Sequence, residues 1–573
     1  MKTLFTASLV LLLAVGIVNA TNDEVYESTS LWIGSHYTEF SDNSKKIGEY
    51  NLGDNEWLPE FGLNYLSREG NSIFRLDGHY FDHKNVVGEA NATIGDWIRF
   101  KARYRSLIRQ QGQDLLTNMS AREFFESTGL PGGKILTHEI QDVGADYNTH
   151  RQEILNELEI LLSNKNNVRM VAAHRSILTD GNEQAIASNH CFSCHLTSRE
   201  KKVDKNQHQI EAGIDAEMGK VDVGYKFGFR HFESTAPDVT VYYDPAKHPV
   251  NGGAVAEFSS RQIYDDATLV FSRIPKTQKM SHKVRLNSDV GSGRIASTLS
   301  YSRAENKYTD LVTNTLVGSV NYSARLSDRS RLIARAIASR LTADDPFIDL
   351  PTYRDGAADL NETDFDFTRY STLDRWDTRL SVEFITRMNN RITFNVLGGF
   401  NRIARDDYVA VDDGTTTNEL IGQLKARYRK GLRYSTAIKY RFEAITDPFV
   451  SSRGLFEQAG SGLLEPTVPT SNWIFYYQRE DLRYQNITTV PTQKHVFSWS
   501  SNYRPTNKFN VNLGLRGQYD KNGDLDSLDV KHFSLQPNVA MNIMPNMNWT
   551  FAAGYTYSYE KSRLPVTVAL FDG

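Results

Sequence analysis

Hydrophobic and polar positions alternate along much of this chain. From Phe509 to Tyr519 the odd positions read Phe, Val, Leu, Leu, Gly, Tyr and the even ones Asn, Asn, Gly, Arg, Gln, so one face is apolar and the other polar. The pattern recurs over Trp549–Tyr559, Leu316–Leu326 and Leu424–Tyr428. Such segments of about ten residues have the length a tilted strand needs to cross the hydrocarbon layer. Polar turns separate them, among them Arg68-Glu69-Gly70-Asn71, Ser163-Asn164-Lys165-Asn166 and Asn389-Asn390-Arg391. Repetition on this scale predicts an all-β fold, a large transmembrane antiparallel β-barrel of roughly 20–26 strands. In a bilayer only a closed barrel satisfies every strand edge, so the polar faces line a lumen. Arg325, Arg335, Arg379, Lys425, Arg427, Arg429, Lys439 and Arg441 fall on those inner faces, which fits a wet pore or an acidic guest.

Several stretches interrupt the alternation. Residues 110–150 contain Ser120–Glu126, a short helix by its Ser cap and following Glu, and then a Pro131-Gly132-Gly133 turn. Residues 177–206 read as a polar, non-strand insertion, and 342–373 and 446–472 as long connections at a barrel rim.

Composition agrees with this class. The chain has 573 residues with 28 Tyr, 29 Phe and 38 Gly, and its mean hydropathy of -0.48 excludes a helical membrane protein. The 65 basic and 69 acidic residues are interspersed, which gives no sign of nucleic-acid binding. Lys2, the apolar run Leu4–Val18 and the small residues before Thr21 make residues 1–20 a secretory signal peptide, with the barrel over 21–573.

The only two cysteines stand in Cys191-Phe192-Ser193-Cys194-His195. That spacing is the c-type haem attachment pattern: both thiols add to the vinyl groups of one haem, and His195 becomes the proximal iron ligand. The competing reading is a small-loop disulfide with a bystander histidine. Zinc lacks a second cysteine pair. Counting strands from a periplasmic N-terminus sets this loop on the periplasmic side, whereas the rule of short periplasmic turns sets it outside; the count is given the greater weight. His190 points away from the same iron. His174 or His208, at the ends of the flanking strands, is the candidate distal ligand, ahead of Met170 and Met218.

Three segments carry a family resemblance. Ser281–Asp289 through Leu299–Asn306, then Arg391–Val411 with Asp406-Asp407-Tyr408, then Tyr555–Tyr559 followed by Pro565–Gly573, resemble the decahaem-associated MtrB/PioB outer-membrane barrels of porin-cytochrome conduits. The resemblance implies a barrel in the bacterial outer membrane with a periplasmic multihaem cytochrome in its lumen and an extracellular multihaem cytochrome docked outside. It covers residues 210–573 as a strand pattern without a catalytic signature. Family members often carry a CxxC near the mature N-terminus; here the pair lies mid-chain and is followed by His195. The ending at Asp572-Gly573, without a terminal aromatic on a strand, suggests that one or more strands lie beyond it.

The function expected from the sequence is therefore a non-enzymatic sheath for trans-outer-membrane electron transfer that carries one haem c on Cys191, Cys194 and His195. The alternative is a solute porin with a structural CxxC disulfide and a basic, anion-favouring lumen. A haem enzyme on a barrel scaffold is a third class and would need an open iron position.

Overall fold

The computed structural model describes residues 25–564 apart from stretches within loops, chiefly 39–48, 117–136, 189–194, 244–261, 406–415 and 466–489. The expected signal peptide and the expected helix at Ser120–Glu126 lie outside the described residues. The described part consists of strands and turns. No helix is long and apolar enough to cross a membrane, which says nothing of crossing by strands.

One 23-stranded sheet forms the wall. Thr137–Ile140 is a short parallel addition to it, and the last position is shared by Trp549–Thr556 and Tyr559–Arg563, both paired with Lys531–Asn546. Twenty-one consecutive antiparallel positions remain, from Tyr26–Thr38 onward, within the range the alternation predicts. Most have 13–16 residues. At about 3.3 Å per residue and a tilt near 40°, that length spans roughly 30 Å of hydrocarbon.

The register sorts side chains as the alternation requires. Across neighbouring strands Tyr225, Val284 and Leu299 share one face, while Lys226, Lys283 and Ser300 share the other. The apolar face stays exposed, with Leu299, Leu316, Leu380, Leu420 and Leu424 all open to the surroundings. Such a band of exposed aliphatic and aromatic side chains is stable only against lipid. All eight cations named above fall on the opposite, lumenal face.

Connections alternate in length. Those on one rim have two to four residues; those on the other run from five to 46. The first strand starts at the short-turn rim, since Tyr26 pairs Arg68 beside the Gly70 turn. Short turns face the periplasm in such barrels. The long connections fold partly on themselves: 344–374 and 447–492 together supply a four-stranded sheet, with Phe347–Asp349, Asp366–Tyr370, Leu455–Gln458 and Leu464–Glu465.

Candidate functional site: a braced hairpin at the rim

Two strands stand taller than the wall. Val168–Ser188 and His195–Met218 pair with each other from Arg169–Asp215 up to Ser188–Leu196. Their wall neighbours stop earlier, at Asn182 on one side and Lys205 on the other. Six residues of the outgoing strand and ten of the returning strand therefore run past their wall neighbours at the long-connection rim, about 20 and 30 Å along the strand direction. This corrects the expectation of a non-strand insertion over 177–206: both strands continue through it. Only residues 189–194, with Cys191 and Cys194, lie outside the described residues, and His195 begins the returning strand.

The hairpin is braced from two sides. Thr137–Ile140 pairs in parallel with His195–Ser198, so the backbone of His195 itself lies opposite Thr137. Next to it, Gln184 accepts from the Asp114 amide at 2.7 Å and donates to the Asp114 carbonyl and the Ser198 hydroxyl at 2.8 and 2.6 Å. The Glu200 amide donates to Asp142. On the other side Arg199 donates to the Thr240 carbonyl at 2.7 Å and Lys201 to the Ser272 carbonyl at 3.0 Å, on the Val239–Tyr243/Ala267–Phe271 hairpin.

A packed core surrounds this brace. A barrel wall has lipid outside and water inside and needs little interior; here Tyr147, Ile108, Ala185, Val203, Val239 and Val241 are buried together with Thr197 and Ser198. Tyr147 is 1% exposed. Its hydroxyl has no hydrogen-bond partner among the described residues. Burial, and then the carboxylates of Asp142 and Glu200, push that phenol above its ordinary range.

The structure does not bring the candidate distal ligands to this tip. His174 and His208 lie in the wall, joined through Ser176, whose hydroxyl is 3.0 Å from His174 Nε2 and 2.8 Å from His208 Nδ1. Fourteen residues separate His174 from Ser188, about 45 Å along the strand, more than the six-residue connection can fold back across. Both rings also lie on the outer face with the exposed Met170, Ile210, Ile214 and Met218, which removes the two methionines by the same argument.

The rim assignment changes as well. The motif hairpin points toward the long-connection rim, opposite the start of the first strand, so strand count and turn length now both give the extracellular side. The chain is an outer-membrane β-barrel.

Inside the barrel a number of charges form pairs. Arg175 meets Glu153 at 2.7 Å, Arg285 meets Asp215 at 2.8 Å and Lys101 meets Glu89 at 3.1 Å. Sequence reading missed one lumenal cluster, in which Glu60 lies 2.8 Å from His79 and 3.7 Å from His36, because it gathers three strands whose register no local pattern reveals. Among the described residues no group of three such side chains is arranged to hold a metal ion.

No protein-family model matches the sequence, and neither does any curated protein. Among solved structures the chain is similar to the siderophore receptor PiuA from Acinetobacter baumannii, at 10% identity over 95% of this chain and 81% of that one, with a TM-score of 0.42. The copper transporter OprC gives 10% identity, 91% and 74% coverage and a TM-score of 0.41. The FrpB iron transporter from Neisseria meningitidis, in its apoprotein form, gives 10%, 85%, 72% and 0.40. Likeness of this degree says nothing about cargo.

Proposed function

We propose that this barrel is the outer-membrane sheath of an electron conduit and presents one haem c of its own at the extracellular rim. The observation that carries the reading is the braced hairpin: the strand that begins at His195 outruns its wall neighbour, pairs with Thr137–Ile140 and carries Thr197 and Ser198, which are among the most buried of the described residues. A solvated loop on a simple pore needs no such support, whereas electron exchange falls steeply with distance and rewards a fixed donor position.

The donor set fits the group. Two thiols three residues apart and an adjacent imidazole, Cys191, Cys194 and His195, are the ligands a covalent haem takes. Haem bound there would supply one-electron exchange. The protein's own contribution is to hold His195 through the Thr137 rung and to keep lipid away from whatever occupies the lumen.

The lumen has room for a guest. Twenty-one strands at about 4.8 Å spacing and 40° tilt give a backbone diameter of roughly 40 Å, and side chains leave about 30 Å free. Among the described residues every sizeable contact joins hydrogen-bonded neighbours in a sheet, and none crosses this space. A slender multihaem cytochrome entering from the periplasm matches the width, and the motif hairpin faces an extracellular multihaem cytochrome.

A polar lumen that no described element crosses also supports the second reading, a solute channel whose cysteines form a disulfide. Haem staining of the purified chain on a denaturing gel separates the two. The sheath reading expects a peroxidase-active band that Cys194→Ala abolishes, and co-purification of a multihaem protein with the wild type. A colourless chain that isolates without such a partner overturns it.

A further inference from the structure

One half of the short-turn rim is charged unlike the other. Five successive turns, at 289–294, 325–331, 387–391, 427–433 and 504–508, carry one, three, two, four and two Lys or Arg residues, twelve in all, against two carboxylates, Asp289 and Asp328. These turns are neighbours around the wall. The fully described turns at 68–72, 95–99 and 217–222, on the other half, hold three cations and four carboxylates.

The cationic half is only partly neutralised by its own carboxylates. Arg325 and Arg331 stand directly opposite each other across their hairpin, a like-charge rung that works against the sheet. Arg325 is taken by Asp328 at 2.6 Å and Arg294 by Asp222 at 3.4 Å. Among the described residues, the Arg331 side chain donates only to the Ser323 hydroxyl, at 2.7 Å, and the Arg329 side chain only to the Met388 carbonyl. A cleft of about 1010 Å³ opens between Lys220, Arg294, Arg325, Arg331 and Arg387.

We infer that this arc is a docking cradle for an acidic protein surface at the periplasmic mouth of the lumen. Arg294, Arg325, Arg331, Arg387, Arg427 and Arg429 belong to the lumenal face by register, which turns them from lipid headgroups. Five hairpins extend over roughly 60 Å, too far for one small anion to bridge, so the matching ligand is an extended array of carboxylates. The inference rests on the proposal that a periplasmic protein occupies the lumen, and it adds which side of the mouth that protein's acidic face meets.

The test uses the full barrel in zwitterionic nanodiscs and fluorescein-labelled poly-L-glutamate of about 20 residues, with poly-L-lysine as the opposite probe, read by anisotropy. Poly-glutamate should bind, its affinity should fall steeply with salt, and the triple variant Arg331→Glu/Arg387→Glu/Arg427→Glu should bind at least about tenfold more weakly. Arg68→Glu/Arg99→Glu, on the balanced half, should bind as the wild type does. If the reversal variant does not fold, the Gln triple and the wild-type salt series decide. Absence of wild-type binding, equal binding by the folded triple variant, complete displacement by millimolar phosphate, or complete displacement by phosphatidylglycerol vesicles would each overturn the cradle. Because the assay needs neither haem nor cytochrome, a colourless chain that isolates without a multihaem partner yet still captures poly-glutamate sinks the sheath reading alone.

Discussion

Tyr147 shows how a single residue reports on the brace. Its ring fills the base of the stalk while its hydroxyl meets no partner among the described residues, so the ring and the oxygen contribute with opposite sign. Tyr147→Phe is expected to leave stalk stability within about 1 kcal/mol of wild type or raise it, whereas Tyr147→Ala should cost about 3–5 kcal/mol by opening a cavity. The folded phenol titrates above its ordinary value near 10. Its packing is therefore fully present below that pH and weakens as pH rises through it, and Tyr147→Phe should remove this alkaline loosening. Limited proteolysis of the stalk across pH 8 to 11 measures all three effects. At the same scale Cys191→Ala should leave the barrel folded, with unchanged heat-modifiable migration, yet remove every trace of Soret absorbance from the chain.

The stalk hairpin is the element whose nature the sequence concealed. Within the bilayer a wall strand has one face in lipid and one in water, and the alternation of Phe509–Tyr519 displays this directly. Above the rim the hairpin has no lipid face, and apart from the buried Ala185, Thr197, Ser198 and Val203 it meets water or polar loops. Thr179–Gln184 and Arg199–Lys202 are accordingly polar at every position, which reads as loop although the ladder continues unbroken. The CxxCH was legible because its spacing is local. Its support was not, since Gln184, Asp114 and Ser198 meet only through tertiary folding, and the same blindness to register made His174 and His208 look near the tip. Gln184→Ala should expose this support. It leaves the Asp114 amide and carbonyl unpaired at a cost of about 1–2 kcal/mol, so cleavage between residues 183 and 204 should quicken about five- to thirtyfold. An unchanged rate would mean that the parallel Thr137–Ile140 rung carries the brace alone.

At the scale of the whole molecule, the width of the lumen decides what electrostatics can do in it. The described wall strands alone leave a radius of about 15 Å, while the screening length is about 10 Å at 0.1 M salt and 3 Å at 1 M. Wall cations such as Lys425 and Lys439, directly opposite each other, therefore bias ions near the wall but not along the axis. A barrel stripped of any partner and placed in a planar bilayer should pass a large current with a weak anion preference that vanishes by 1 M salt. A porin would behave the same way before and after stripping. A sheath would not, because the guest that fills its lumen also seals it: the complex extracted under mild conditions should be nearly silent, and dissociation of its cytochrome in high salt should open it. Equal conductance in the two preparations would leave the channel reading standing and remove the guest, while a small, strongly selective current from the stripped barrel would show that the lumen is narrower than twenty-one strands allow.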